Sequence, residues 1–271
     1  MAHGAGERRF AAAGMVVAID SSRHSATISH GEIAGYMDAM VMPFRVLKAE
    51  QLGAVHPGDT VSFTLVVGNK SSWIENIRAV PFESAERDPS LAKRLALLDS
   101  VMSANKSGTL AIGAAVPDFT LTDQTGRAVS LSMFRGKVIA LSFVYTRCPL
   151  PDYCFRLSNN LALLSKRFTS ERDVILLTVT FDPVHDSPEV LANYARTWRA
   201  DPKQWHFLTG SPAEVQRVCG LFGVEYWRDD GFLIHSLHTI VIGRDGKLRA
   251  NIEGNRFSAR QLGDLVAVAL K

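Results

Sequence analysis

The sequence predicts two folded domains: an N-terminal small β-barrel of OB-like type, followed by a C-terminal α/β domain. Three observations carry this expectation. Residues 10–81 hold five short strand-like runs separated by turn signals. Residues 88–106 then change to helical spacing, with Leu91, Leu95, Leu98 and Met102 on one side. From residue 110 onward, strand and helix patterns alternate, the signature of helices packed on a mixed sheet. The expected divisions are 1–85 for the barrel, 86–109 for a helical linker and 110–271 for the α/β domain.

In chain order, the barrel strands read FAAAGMVVAID, SATISH, MVMPFRV, VSFTLVVGN and WIENIRAV, with a turn at HPGD, residues 56–59. The linker ends in Lys106-Ser107-Gly108. In the second domain the strand candidates are VIALSFVYT (138–146), VILLTVT (174–180), TIVIG (239–243) and KLRANIE (247–253). Leu157, Leu161, Leu164 and Phe168 mark one face of a helix predicted over 154–168. Three further helix starts are signalled by caps: Ser187 followed by Pro188, Ser211 with Glu214, and Ser258 with Gln261. Arg244-Asp245-Gly246 breaks a late hairpin.

At 271 residues with 46% hydrophobic and 21% charged content, the chain reads as a compact globular protein. A net charge of +3 with dispersed basic residues argues against nucleic-acid partners. No apolar run approaches the ~20 residues of a membrane span, so no membrane span is expected. The opening MAHGAGERRFAAAG lacks the apolar core of a signal peptide. Three cysteines are too few for a disulfide scaffold.

Two of them, Cys148 and Cys154, lie in VYTRCPLPDYC between an apolar strand and a helix. Backbone N–H groups and the helix dipole at such a junction favour thiolate. Pro149 and Pro151 stiffen the loop. By spacing alone, a structural disulfide, a redox pair and a metal site all remain open, because C-x5-C is not a standard redox or zinc pattern. His235 and His238 in IHSLHTIVIGRDG are candidate partners near the entry of a strand. Cys219, in VQRVCGLFG, reads as a core thiol.

The order VIALSFVYTRCP, then FDPVHDSPEVLANYA, then HSLHTIVIGRDGKL resembles the Sco/SenC family of copper-binding, thioredoxin-like proteins that serve cytochrome oxidase assembly. The resemblance covers residues 114–271 and implies a thioredoxin-like fold. It implies a copper site made by Cys148, Cys154 and His235, with His238 the alternative, and sets Asp182 in the family's Asp-Pro-x-x-Asp-Thr-Pro segment. The family pattern has three residues between its cysteines; this chain has five. Two thiolates and an imidazole suit Cu(I) or Cu(II), and the same thiols can close into a disulfide.

The barrel carries HGEIAGYMDAMVMPF, residues 30–44, where Met37, Met40 and Met42 fall within six positions. Met40 and Met42 alternate along a strand and so share a face. Methionines also fill small cores as adaptable apolar residues, but thioethers with one imidazole select Cu(I). The stretch resembles the periplasmic copper-binding CusF type. That resemblance implies His30, Met40 and Met42 as ligands, with Met37 a further sulfur where the family prototype has a tryptophan.

Together the resemblances imply a copper chaperone, with an acceptor copper protein such as a cytochrome oxidase subunit and a thiol reductant protein as partners. They imply a periplasmic or otherwise extracytoplasmic location. The alternative is a thiol-disulfide oxidoreductase of the thioredoxin-like class using Cys148 and Cys154, although neither C-x-x-C nor T-x-x-C is present.

Overall fold

The computed structural model describes residues 7–69, 71–80, 109–148, 151–229 and 232–271. The helix expected over 88–106 lies outside them. By packing, the chain divides into two units: Met1–Pro81 groups with Phe257–Ala269, and Phe82–Arg256 forms the other.

The first unit is a five-stranded antiparallel sheet in the order β3-β2-β1-β4-β5. The strands are β1 (Arg8–Asp20), β2 (Ser25–His30), β3 (Val41–Arg45), β4 (Thr60–Val67) and β5 (Ser72–Ala79). The length of β1 organises the unit. Its first part pairs β4 from Arg8↔Val67 to Met15↔Thr60, and its second part pairs β2 from Gly14↔His30 to Asp20↔Ser25. A register shift between Val16 and Ala18 lets one strand serve both neighbours by adding local twist. The barrel expectation is corrected here. The ladder remains open, with edges β3 and β5 linked by a bridge at Val46–Ile74 and a hydrogen bond from Leu47 N to Ile74 O. Ile28, Phe44, Val61, Phe63, Leu65 and Ile74 form the centre of its core. Each such side chain contributes about 1.5–3 kcal/mol on burial. Helix Ala259–Ala269 (called α4 below) packs on β1 and β2 of this unit, burying Leu262, Leu265 and Val266.

The second unit is built on a seven-stranded sheet, order β14-β13-β8-β9-β10-β6-β7. Its strands are β6 (Thr120–Asp123), β7 (Ala128–Ser130), β8 (Val138–Val144), β9 (Val174–Thr180), β10 (Trp205–Thr209), β13 (His238–Ile242) and β14 (Leu248–Glu253). A separate hairpin joins β11 (Tyr226–Asp229) and β12 (Phe232–His235). Strands β8, β9 and β10 run parallel, and β8 and β9 are buried at every position. That is why both read as unbroken apolar runs. Helices α1 (Arg156–Arg167), α2 (Pro188–Thr197) and α3 (Pro212–Leu221) follow β8, β9 and β10.

The predicted caps form. Ser187 Oγ accepts from Val190 N, with Pro188 opening α2. Ser211 and Glu214 make a reciprocal capping box on α3. Ser258 and Gln261 do the same for α4.

Candidate metal centre

The parallel pairing of β8 with β9 ends at Val144↔Thr180, so segments 145–148 and 181–186 leave the sheet side by side. Two buried carboxylates from the second segment fix the first. Asp186, fully buried, accepts from Thr146 N at 3.1 Å, from Thr146 Oγ1 and from Thr180 Oγ1. Asp182 accepts from Arg147 Nη2 at 2.6 Å and faces His185 Nδ1 at 3.0 Å. Burial works to raise the Asp182 carboxyl, but hydrogen bonds from His185 and Arg147 outweigh it and hold it below its ordinary value. Both residues preceding Cys148 are thereby pinned.

Cys148 is half-buried at the turn closed by its own N–H on Tyr145 O, 3.3 Å. Cys154 is buried in a single π-helical turn, Pro151–Phe155, that opens α1. His235 ends β12, at the hairpin carried by the second unit. The sulfur atoms of Cys148 and Cys154 and a ring nitrogen of His235 all lie within 4.8 Å of one another. The loop after β8, the turn that opens α1 and the distant end of β12 thus bring two thiols and an imidazole together.

Aromatic rings wall the cluster. His235 lies 4.5 Å from the Phe181 ring centroid and edge-on to Tyr145 and Tyr153 at 5.8 and 6.4 Å. Its Nδ1 is 3.0 Å from Ser236 O, so Nδ1–H donates there and Nε2 carries the lone pair. The Tyr145 hydroxyl is raised above its usual range by burial, by the neighbouring Cys148 and Cys154, and by its hydrogen bond to Cys148.

The expectation that the strand–helix junction favours thiolate is corrected for Cys154. Burial pushes its thiol well above the ordinary value, with Cys148 adding to the effect, and backbone donors at Tyr145 and Cys154 only partly offset this. A soft cation entering the cluster supplies the positive charge that burial otherwise withholds from two thiolates. Cys219 is buried in α3 and pushed up to about 12 by burial, which keeps it a thiol. His238 faces Asn251 Oδ1 through Nδ1 at 2.8 Å, and the cluster draws on His235 rather than on it.

In the first unit, His30 is fully buried at the end of β2. Register places Ile28 opposite Met42 and Ala26 opposite Phe44, and His30 N donates to Met40 O at 3.0 Å. His30, Met40 and Met42 therefore stand on one face of the sheet. Met42 is half-buried against the core, Met40 is exposed, and Met37 is half-buried beyond the Ile33–Met37 bridge. His30 Nδ1 lies 2.6 Å from Gly31 O, which again reserves Nε2. That Nε2 is buried and has no hydrogen-bond partner among the described residues. An orphaned imidazole nitrogen on a thioether-lined face fits a soft monovalent cation. Gly14 makes the space: a Cβ there would come within 2.7 Å of His30 Cα and of Ile28 Cγ2.

Sequence reasoning left unassigned Asp186, Tyr145 and Phe181, which hold or wall the cluster. Asp186 was visible as the second acid of Asp-Pro-Val-His-Asp, but its partner Thr146 lies on another strand end.

The fold and site define a thioredoxin-like domain that gathers two cysteines after a central strand and a histidine from its hairpin, and a separate β unit with a histidine–methionine face. Residues 109–269 match the family model for SCO1/SenC, and residues 9–79 match that for the copper binding periplasmic protein CusF. The first match spans more than half of the chain, and this chain belongs to the SCO1/SenC family. It is 30% identical over 138 residues to an SCO2-like protein of Rickettsia typhi, covering 48% of this chain and 65% of that protein. It is 28% identical over 144 residues to the SCO1 homologue of Bacillus subtilis, covering 51% and 74%. Among solved structures it resembles Arabidopsis thaliana ScoI with copper bound, at 25% identity and a TM-score of 0.51, over 59% of this chain and 98% of that one. It likewise resembles BsSco, described as a member of the Sco family of cytochrome c oxidase assembly proteins, at 25% identity and a TM-score of 0.52, over 60% and 98%. Among the described residues no helix is long and apolar enough to cross a membrane.

Proposed function

We propose that the protein is a copper chaperone with two copper sites, acting in an extracytoplasmic compartment on the assembly of a cytochrome oxidase or similar copper enzyme. The observation that carries this reading is the convergence of Cys148, Cys154 and His235 within 4.8 Å, with Nε2 of the histidine reserved for a ligand. Copper is the cargo. Two thiolates and an imidazole hold Cu(I) or Cu(II), while His30, Met40 and Met42, with Met37 as a further sulfur, offer neutral soft donors for Cu(I). The match to CusF supports the second site, and the copper-bound ScoI structure supports the first. An acceptor copper protein and a thiol reductant would be the partners, with transfer running from the neutral site to the tighter thiolate site.

The test is an anaerobic Cu(I) titration against a competing chelator. The intact protein is expected to take two equivalents. Cys148→Ser with Cys154→Ser is expected to take one, as is Met40→Leu with Met42→Leu. Stoichiometry untouched by the cysteine changes would overturn the first site. A second reading, thiol-disulfide oxidoreductase, is favoured by one feature: a half-exposed thiol, Cys148, beside a buried one, the arrangement of an attacking and a resolving cysteine. Turnover of a protein disulfide by the copper-free, reduced protein would bring that reading forward.

A further inference from the structure

The carbonyl of His30 accepts from Arg260 Nη2 of α4 at 2.7 Å, and the preceding carbonyl, Ser29 O, accepts from Gln261 Nε2 at 3.2 Å. Ser29 Oγ, itself buried, donates to Asp264 Oδ2 at 2.7 Å, and Arg260 Nη1 reaches the same carboxylate at 3.5 Å. Gln261 uses its two amide ends separately: Oε1 caps α4 through Ser258 N at 2.9 Å, and Nε2 holds the strand. Two side chains of one helix thus grip two consecutive peptides of β2, and a third, Asp264, holds the Ser29 hydroxyl.

Those peptides decide where the imidazole points. The His30–Gly31 peptide leads directly to Gly31 O, which receives Nδ1–H at 2.6 Å and so sets both the tautomer and the ring plane. On the other side the same peptide is tied by Gly31 N to Ala13 O at 3.1 Å. β2 ends at His30, and Gly31 lacks a side chain to pack. Gly31 O belongs to the next peptide, joined to the first at Gly31 Cα, so displacing the His30–Gly31 peptide would shift both His30 Cα and this acceptor and release the ring. Nε2, buried and partnerless, is the atom whose aim would be lost.

We infer that Arg260 and Gln261 of α4 are positioning residues for His30, so that the histidine–methionine copper site depends on the helix formed 230 residues later in the chain. The inference rests on reading His30 as a copper ligand. It identifies a functional part of that site which none of the ligand residues reveals, and it predicts that outer hydrogen bonds here act as they do at other metal-bound histidines, where their loss weakens affinity about ten- to hundredfold.

The experiment uses the full chain carrying Cys148→Ser and Cys154→Ser, so that only the histidine–methionine site reports. Cu(I) affinity is measured by chelator competition. Copper K-edge absorption separates imidazole from thioether ligation. Three variants are compared: Arg260→Ala, Gln261→Glu and His30→Ala. Gln261→Glu keeps the oxygen that caps α4 and turns the donor to Ser29 O into a charged acceptor, so it breaks this contact even where Arg260→Ala fails to fold. The expected result is an affinity about tenfold or more weaker for the helix variants, with the imidazole outer-shell signal diminished and thioether scattering retained. Parent-like affinity and an intact imidazole signal in folded helix variants, alongside a weakened His30→Ala, would overturn the positioning role alone. An unchanged His30→Ala would remove the ligand reading and this inference with it.

Discussion

Replacing Asp186 by asparagine tests the scaffold beneath the cysteine cluster. The side chain is fully buried and accepts from three donors, Thr146 N, Thr146 Oγ1 and Thr180 Oγ1. Oδ2 takes Thr146 N and Thr180 Oγ1, and Oδ1 takes Thr146 Oγ1, so an asparagine whose oxygen keeps the Oδ2 place turns an N–H₂ group toward one donor, Thr146 Oγ1. With that one charge-assisted bond lost, the cost is about 1.5–3 kcal/mol. For a unit of this size that lowers the melting temperature by roughly 3–12 °C. Because Thr146 lies two residues before Cys148, the same loss loosens the sulfur, and affinity at the cysteine site should fall about ten- to hundredfold. The assay is chelator competition in a Met40→Leu, Met42→Leu background, paired with a thermal melt of the copper-free protein. A melting point within about 2 °C of the parent, with unchanged affinity, would refute the argument that Asp186 holds the loop.

Three further outcomes are expected. In the copper-free, reduced protein, iodoacetamide should modify Cys148 well before Cys154, because Cys154 is buried and each unit of its raised value removes roughly a tenfold share of thiolate; peptide mass mapping over time checks the order. Gly14→Ala should destabilise the first unit by about 1–3 kcal/mol, since the added carbon meets Ser29 O at 2.6 Å and the His30 backbone at 2.7 Å, and a melt of the variant would show it. Asp123 is opposed by burial but held below its ordinary 3.8 by hydrogen bonds from Thr125 and Arg127. Those bonds should add stability above that value and lose it as pH falls through the lowered one, so acid melts of the parent and Asp123→Asn should differ near neutrality and converge in acid.

What the sequence disclosed depended on whether the physical signal was local. Strands β2 and β9 match the expected limits, because a half-buried alternation and a wholly buried apolar run are each written in one short stretch. The caps at Ser187, Ser211 and Ser258 were equally legible, since a cap and its partner lie three residues apart. Strands β6, β7, β10, β11 and β12 escaped notice, β6 and β12 being only four residues each. β7 has three residues, β10 mixes Trp205 and His206 into a five-residue run, and β11 reads YWRD. The open edge between β3 and β5 was also not legible, because closure depends on pairings between strands some thirty residues apart. At the cluster, residue types and order suggested Cys148, Cys154 and His235, but only the folded chain exposed the carboxylates that steady them. The protonation of Cys154 was misjudged for a related reason: the helix terminus is visible in sequence, and the depth of burial that outweighs it is not.

The packing of α4 on β1 and β2 has a consequence for how the chain reaches its native state. Ser29 and Asp264 are separated by 235 positions, yet they share a buried hydrogen bond. During synthesis at about 5–20 residues per second, the N-terminal sheet is exposed for tens of seconds before α4 exists. Over that interval the surface later covered by Leu262, Leu265 and Val266 has no partner, and β2 ends in unanchored carbonyls. The sheet can form early from its antiparallel neighbours, while its final rigidity waits on one of the most distant contacts in the chain, the kind whose loop closure slows folding. On the reading that His30 is a copper ligand, metal uptake there would wait until α4 has docked on the sheet.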